Sequence, residues 1–187
     1  MNVALLASGK GSNVENILCY FRNHSKIKIA LVGSNNPKSG ALIYANNYSV
    51  PTLEFSKKEL ETTTILLSTL NNHDIDLIVL AGFLLKIPES FIDSFKGKIV
   101  NIHPSLLPKY GGKGMYGDHI HKTVLSNNEK TTGITFHYVN ENYDEGKIIA
   151  QFPVFLEENE TLSSLKGKIS QLEWSKYPFI IERLCNE

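Results

Sequence analysis

Cysteine is scarce in this chain, net charge is absent and no apolar run is long. The two cysteines, Cys19 and Cys185, stand near opposite ends of 187 residues and in no metal-ligand spacing. Such a pair offers no disulfide framework and no zinc pattern, and a reducing, cytoplasmic setting is the simpler expectation. Nineteen basic side chains balance nineteen acidic ones, so the chain lacks the basic face from which general nucleic-acid and membrane-surface binders draw affinity. Neither nucleic acid nor membrane is expected as a partner. The apolar run Val3 to Ala7 near the start has no basic stretch before it and is too short for a signal peptide or a membrane span. Repeats, low-complexity stretches and linkers are also missing. One domain over residues 1–187 is expected, and a chain of this length removes about 70% of its unfolded surface from water without needing a staple.

What is present reads as an alternation of strands and helices. Val3–Ala7 and Leu77–Ala81 are fully apolar, as in strands covered on both faces. Ile27–Gly33, Val50–Phe55 and Ile99–His103 complete a first set of strands. Val14, Ile17, Leu18 and Phe21 recur at helical spacing. Ala41–Asn47, Leu60–Asn72 and Ser90–Phe95 fit helices between the other strands. Beyond them, Thr131–Val139 and Lys147–Phe155 read as two strands joined by the polar loop 140–146, and Leu162, Leu165, Ile169 and Leu172 as a last helix with Trp174 and Phe179 beyond it. The fold class expected is α/β, a doubly wound and mostly parallel open sheet with a mixed C-terminal part. Ligands of such sheets bind beyond the carboxyl ends of the strands.

Ser8-Gly9-Lys10-Gly11-Ser12-Asn13 lies between the first strand and the first helix. Free N–H groups at a helix start suit an anion, and glycines let the backbone come close to it. A dinucleotide fingerprint would need a third glycine at position 14, where Val14 stands, and an acid after the second strand, where Ser34-Asn35-Asn36 stands. No lysine precedes Ser12, so the phosphate loop of nucleotide triphosphatases is excluded as well. A tight turn capped by Ser12 or Asn13 is the alternative; two glycines around a lysine favour phosphate.

Asn101-Ile102-His103-Pro104 ends an apolar strand. Residues two apart in a strand share a face. Asn101 and His103 therefore stand side by side, Ile102 turns into the core, and Pro104 stops the strand. An amide donor beside an imidazole suits acyl transfer, by stabilising an oxyanion and moving a proton. Asp144, in the loop Asn142–Gly146, is a common turn aspartate taken alone. Beside a working histidine, a carboxylate can orient the ring and stabilise its charged form.

Four motifs together resemble the glycinamide ribonucleotide transformylases: Ser-Gly-x-Gly-Ser-Asn at 8–13, Leu-Ala-Gly-Phe at 80–83, Asn-Ile-His-Pro-Ser-Leu-Leu-Pro at 101–108 and Asp-x-Gly at 144–146. The resemblance runs from Met1 to about Phe179. It implies transfer of the formyl group of 10-formyltetrahydrofolate to the amine of glycinamide ribonucleotide, without a metal. It implies catalytic roles for Asn101, His103 and Asp144, and a ribonucleotide site made by Gly11, Ser12, Asn13 and Glu173. The folate would lie along Leu84, Leu85, Lys86 and Ile87, with Asn101, Asn140 and Glu141 beside it and Lys58 near its tail. Oligomeric state is left open between monomer and homodimer.

The sequence departs from that pattern in three places. Gly111-Gly112-Lys113-Gly114-Met115 inserts after Tyr110, Leu85 stands where an arginine is common, and Glu145 follows Asp144 where the family has glycine. The glycines between 111 and 117 predict a mobile loop beside the site. A methionyl-tRNA formyltransferase would carry a further C-terminal domain and a basic face; a formyltetrahydrofolate hydrolase would carry a further N-terminal domain. His119 and His121 lie two apart and His137 follows in a strand, but no third metal ligand has a convincing spacing, and these histidines are expected at the surface or behind the site.

Overall fold

The computed structural model describes residues 1–186. Seven strands, β1 (Asn2–Ala7), β2 (Lys28–Ser34), β3 (Thr52–Glu54), β4 (Ile75–Leu80), β5 (Lys98–His103), β6 (Thr131–Tyr138) and β7 (Ile148–Phe155), form one sheet in the order β3-β2-β1-β4-β5-β6-β7. The first five pair in parallel; β6 and β7 join antiparallel. This is the expected α/β architecture. After β3 the chain returns to the other side of β1, so the order reverses between β1 and β4. A crevice opens at such a point beyond the strand ends.

Alternation along the strands separates two cores. Val3, Leu5 and Ala7 of β1, with Leu77 and Val79 of β4, face one side, where α1 (Ser12–Phe21), α2 (Gly40–Asn47), α6 (Asp118–Ser126) and α7 (Leu162–Asn186) pack through Val14, Ile17, Ala41, Ile120, Leu165 and Ile169. Ala4, Leu6, Ile78 and Leu80 face the other, under α3 (Lys57–Thr62), α4 (Thr64–Asn72) and α5 (Glu89–Ser94), which contribute Leu60, Leu66, Leu70 and Phe91. Burial of this apolar surface on both faces is the main favourable term in the fold.

Three elements differ from the sequence expectation. The helix expected over Leu60–Asn72 is two helices broken at Thr63, whose φ of 62° is left-handed. Ser56 and Glu59 cap α3 reciprocally, starting it three residues early, and the threonine run 62–64 has poor helix propensity across the break. A helix not expected at all, α6, follows the glycine loop; it buries Ile120, His121 and Val124. The last helix does not fade near Leu172 but runs to Asn186 through Pro178. Proline offers no N–H to the carbonyl four residues back. Here the Asn16 side chain donates to that carbonyl, of Trp174, at 2.9 Å instead.

Candidate active site

The crevice at the strand ends holds a cavity of about 590 Å³, a size typical of small-molecule sites. Its walls come from both faces of the sheet. Asn13, Ile169, Ser170 and Glu173 line it on the α1 and α7 side; Phe83 to Ile87, with Val139, Asn140 and Asn142 to Asp144, line it on the other. Asn101 and His103 lie at the junction.

The registers explain this junction. Asn101 pairs with His137 and His103 with Thr135 across β5 and β6, so Asn101, His103 and His137 share one side of the sheet while Ile102 turns into the opposite core. His103 is 4% exposed and His137 2%. The His103 Nε2–H donates to the Tyr110 carbonyl at 2.7 Å, and Nδ1 lies 3.4 Å from Asp144 Oδ2. A ring protonated on both nitrogens meets an acceptor at each. Asp144 itself holds a left-handed φ of 57°, which brings its carboxylate back over the strand ends. Its other oxygen is 3.6 Å from His137 Nε2, and Oδ2 accepts the Gly112 N–H at 3.0 Å. Burial pushes the Asp144 carboxyl up, but the hydrogen bond and the charge of His103 and the Gly112 amide more than offset it. The carboxyl is held well below the usual carboxylate range.

Asn101 and His137 fix each other. The His137 Nδ1–H donates to the carbonyl of Tyr138 at 2.9 Å, which leaves Nε2 to accept from Asn101 Nδ2 at 3.2 Å. One N–H of the Asn101 amide is thereby anchored and the other remains for the cavity. His137 is thus buried behind Asn101, and His121 is 7% exposed on the cavity wall; His119 alone of the three is exposed.

Glu173 is brought in by α7. One turn further along, Tyr177, completely buried, donates its hydroxyl to the Leu80 carbonyl at 2.6 Å, which ties the helix to the end of β4. Residues four apart share a helix face, so this anchor aims Glu173 at the cavity, where Asn13 Nδ2 donates to its Oε2 at 3.0 Å. Burial pushes the Glu173 carboxyl above its ordinary value, against the opposing pull of that hydrogen bond.

The glycine loop shows two duties. Neither Ser12 nor Asn13 caps α1; Gly11 does, at φ 82° and without a side-chain bond, so the first N–H groups stay free of a side-chain cap. Gly11 also touches α2: a Cβ there would stand 2.5 Å from the Ala41 nitrogen. The Gly9 carbonyl accepts from Ser39 Oγ at 2.8 Å and from the Gly40 N–H at 3.1 Å. The side chain of Ser8 accepts the Leu84 N–H at 3.0 Å and donates to Asn35 at 2.5 Å, joining the loops after β1, β2 and β4.

Of the residues expected in the site, Asn13, Leu84, Leu85, Lys86, Ile87, Asn101, His103, Asn140, Asp144 and Glu173 line the cavity. Gly11 and Ser12 lie just behind Asn13 at the helix start. Lys58, on α3, and Glu141, exposed in its loop, lie outside the lining.

The sequence profile of the formyl transferase family matches residues 1–181. The phosphoribosylglycinamide formyltransferase of Bacillus subtilis is 34% identical over 186 residues, covering 97% of this chain and 93% of that protein. The chain belongs to the phosphoribosylglycinamide formyltransferase family. Solved structures of this family superpose closely. That of Anaplasma phagocytophilum has a TM-score of 0.88 at 35% identity and covers all of this chain and 87% of its own; that of Bacillus halodurans has a TM-score of 0.86 at 32%. Against the chloroplastic family members of Vigna unguiculata and Arabidopsis thaliana, both 35% identical, the chain spans 61% and 65% of their length. Among the described residues, no helix is long and apolar enough to cross a membrane.

Three side chains that sequence reasoning did not assign to the site belong to its geometry. His137 was legible only through strand register, since 36 residues separate it from Asn101. Tyr177 lies 97 residues from Leu80 and carried no local signal. His121, expected at the surface or behind the site, instead lines the cavity, because the unexpected helix α6 turns it inward.

Proposed function

We propose that this chain, acting as one unit over residues 1–187, transfers the formyl group of 10-formyltetrahydrofolate to the amine of glycinamide ribonucleotide, giving formylglycinamide ribonucleotide and tetrahydrofolate in de novo purine biosynthesis. The observation that carries this reading is the meeting of Asn101, His103 and Asp144 where two arms of one cavity join. Membership of the family supports the substrate pair. The ribonucleotide takes the arm on the α1 and α7 side, its phosphate at the free N–H groups of Gly11, Ser12 and Asn13 and its glycinamide end beside Glu173. The folate takes the other arm, along Leu84 to Ile87 and the loop of Asn140.

The neutral amine attacks the formyl carbon. As the new N–C bond forms, the carbonyl oxygen becomes an oxyanion. The free N–H of Asn101 donates to it. A charged oxygen is a stronger acceptor than a carbonyl, so it takes over the His103 Nε2–H that otherwise bonds the Tyr110 carbonyl. Collapse breaks the bond from the formyl carbon to folate N10, which gains a proton from His103 while the former amine loses one through water at Asp144. An oxyanion donor of this kind is worth about 10²–10³ in turnover; juxtaposition of the two substrates supplies most of the remainder. Cytoplasmic action, without metal, completes the reading.

The test is steady-state kinetics with both substrates on the wild type and on His103→Ala and Asn101→Ala. Turnover should fall by about 10²-fold or more in each, with ribonucleotide binding little changed. A folded His103→Ala protein that turns over at the wild-type rate would falsify the assignment.

A further inference from the structure

Among the described residues, two buried side-chain polar atoms have no hydrogen-bond partner: Asn13 Oδ1 and His121 Nδ1. Native proteins leave few such atoms, and each calls for a reason. Both residues line the same cavity, and both stand on helices, α1 and α6, of the same side of the sheet. That side is the ribonucleotide arm in the reading above, on which this inference rests.

His121 is 7% exposed and packs beside Ile120 and Val124, which are fully buried. A histidine in such a position is ordinarily satisfied by a backbone carbonyl or a carboxylate. Here the nearby carboxylate, Asp118, is engaged by Lys166 Nζ at 2.6 Å. Burial lowers the basicity of the ring; Asp118 opposes this, and the charges of Lys166 and His103 add to it. The ring is therefore neutral at physiological pH, and Lys166 beside it is already paired. A phosphate selects cations and free N–H groups. A neutral imidazole instead offers one donor and one acceptor, the complement of a hydroxyl. Between the phosphate end at α1 and the amine end at Asn101, the substrate presents a sugar diol.

We propose that His121 is a substrate-binding residue, its unpartnered ring nitrogen hydrogen-bonded to a sugar hydroxyl of the ribonucleotide. The protein leaves the ring unpartnered because the ligand completes it.

Two measurements on the full chain test this. In calorimetry, His121→Leu should weaken glycinamide ribonucleotide binding roughly tenfold, the worth of one hydrogen bond that leaves a polar group unpaired, with folate affinity within about twofold. His121→Gln should recover part of the loss. In long-range ¹H–¹⁵N spectra of the wild type, the His121 ring nitrogens should shift on addition of the ribonucleotide and not on addition of folate. Unchanged ribonucleotide affinity in a folded His121→Leu protein overturns the inference, as do ring nitrogens that ignore the ribonucleotide. Wild-type protein that binds no ribonucleotide overturns the functional reading itself, and the inference with it.

Discussion

Gly11→Ala separates the two duties of the glycine loop. If this glycine serves only to let a phosphate approach, the substitution weakens ribonucleotide binding and leaves the fold intact. The geometry predicts otherwise. The added Cβ would lie 2.5 Å from the Ala41 nitrogen, 2.7 Å from its Cα and 3.0 Å from the Gly40 carbonyl carbon. All three are backbone atoms, which cannot rotate away, so the loop and α2 must separate. Overpacking of this kind costs about 1–3 kcal/mol, and the left-handed φ of 82° adds about 1–2 kcal/mol for any residue with a Cβ. The sum, about 2–5 kcal/mol, is a large share of the ~5–15 kcal/mol that holds a domain together. For a chain of this size each kcal/mol shifts the melting temperature by about 2–4 °C, so scanning calorimetry should show a fall of roughly 4–20 °C. Gly9→Ala is the control, because nothing lies within 4 Å of its added Cβ and its φ is not left-handed; it should melt within about 2 °C of wild type, as surface changes do. A Gly11→Ala protein that melts with the wild type would refute the packing argument and return the glycine to phosphate approach alone.

Two carboxyls with opposite shifts predict opposite pH signatures. The Asp144 pKa is depressed in the fold. Its contribution to stability is therefore fully present above the unfolded value of about 3.9 and is lost as pH falls through the folded one. Asp144→Asn should be less stable than wild type at pH 7, and the gap in urea midpoints should close below about pH 4; a gap independent of pH counts against the histidine contacts as its cause. The Glu173 pKa is raised, so its burial favours the fold below the unfolded value of about 4.3, and the advantage is lost as pH rises through the folded one. Glu173→Gln should thus gain melting temperature on wild type between pH 5 and 8 while losing ribonucleotide affinity, and a stability difference that is flat across pH would sink that account.

Local sequence was enough for the sheet and for the pairing of Asn101 with His103. Apolar runs such as Val3–Ala7 and Leu77–Val79 leave a strand nowhere to go but between two helical layers, and their order along the chain fixes the parallel winding. Asn101, His103 and the proline after them lie within four residues, so strand geometry alone sets them side by side. Local spacing could not reach further. The break at Thr63 depends on a left-handed residue that propensity does not forecast, and at Pro178 the carbonyl of Trp174 finds its donor in Asn16, 158 residues away. The same holds for the site. His137 reaches Asn101 through strand register, Tyr177 aims Glu173 through a bond to β4, and Gly112 meets Asp144 across a loop. Each of these contacts joins segments distant in sequence, and periodicity carries no information about a partner that only packing brings within hydrogen-bond range.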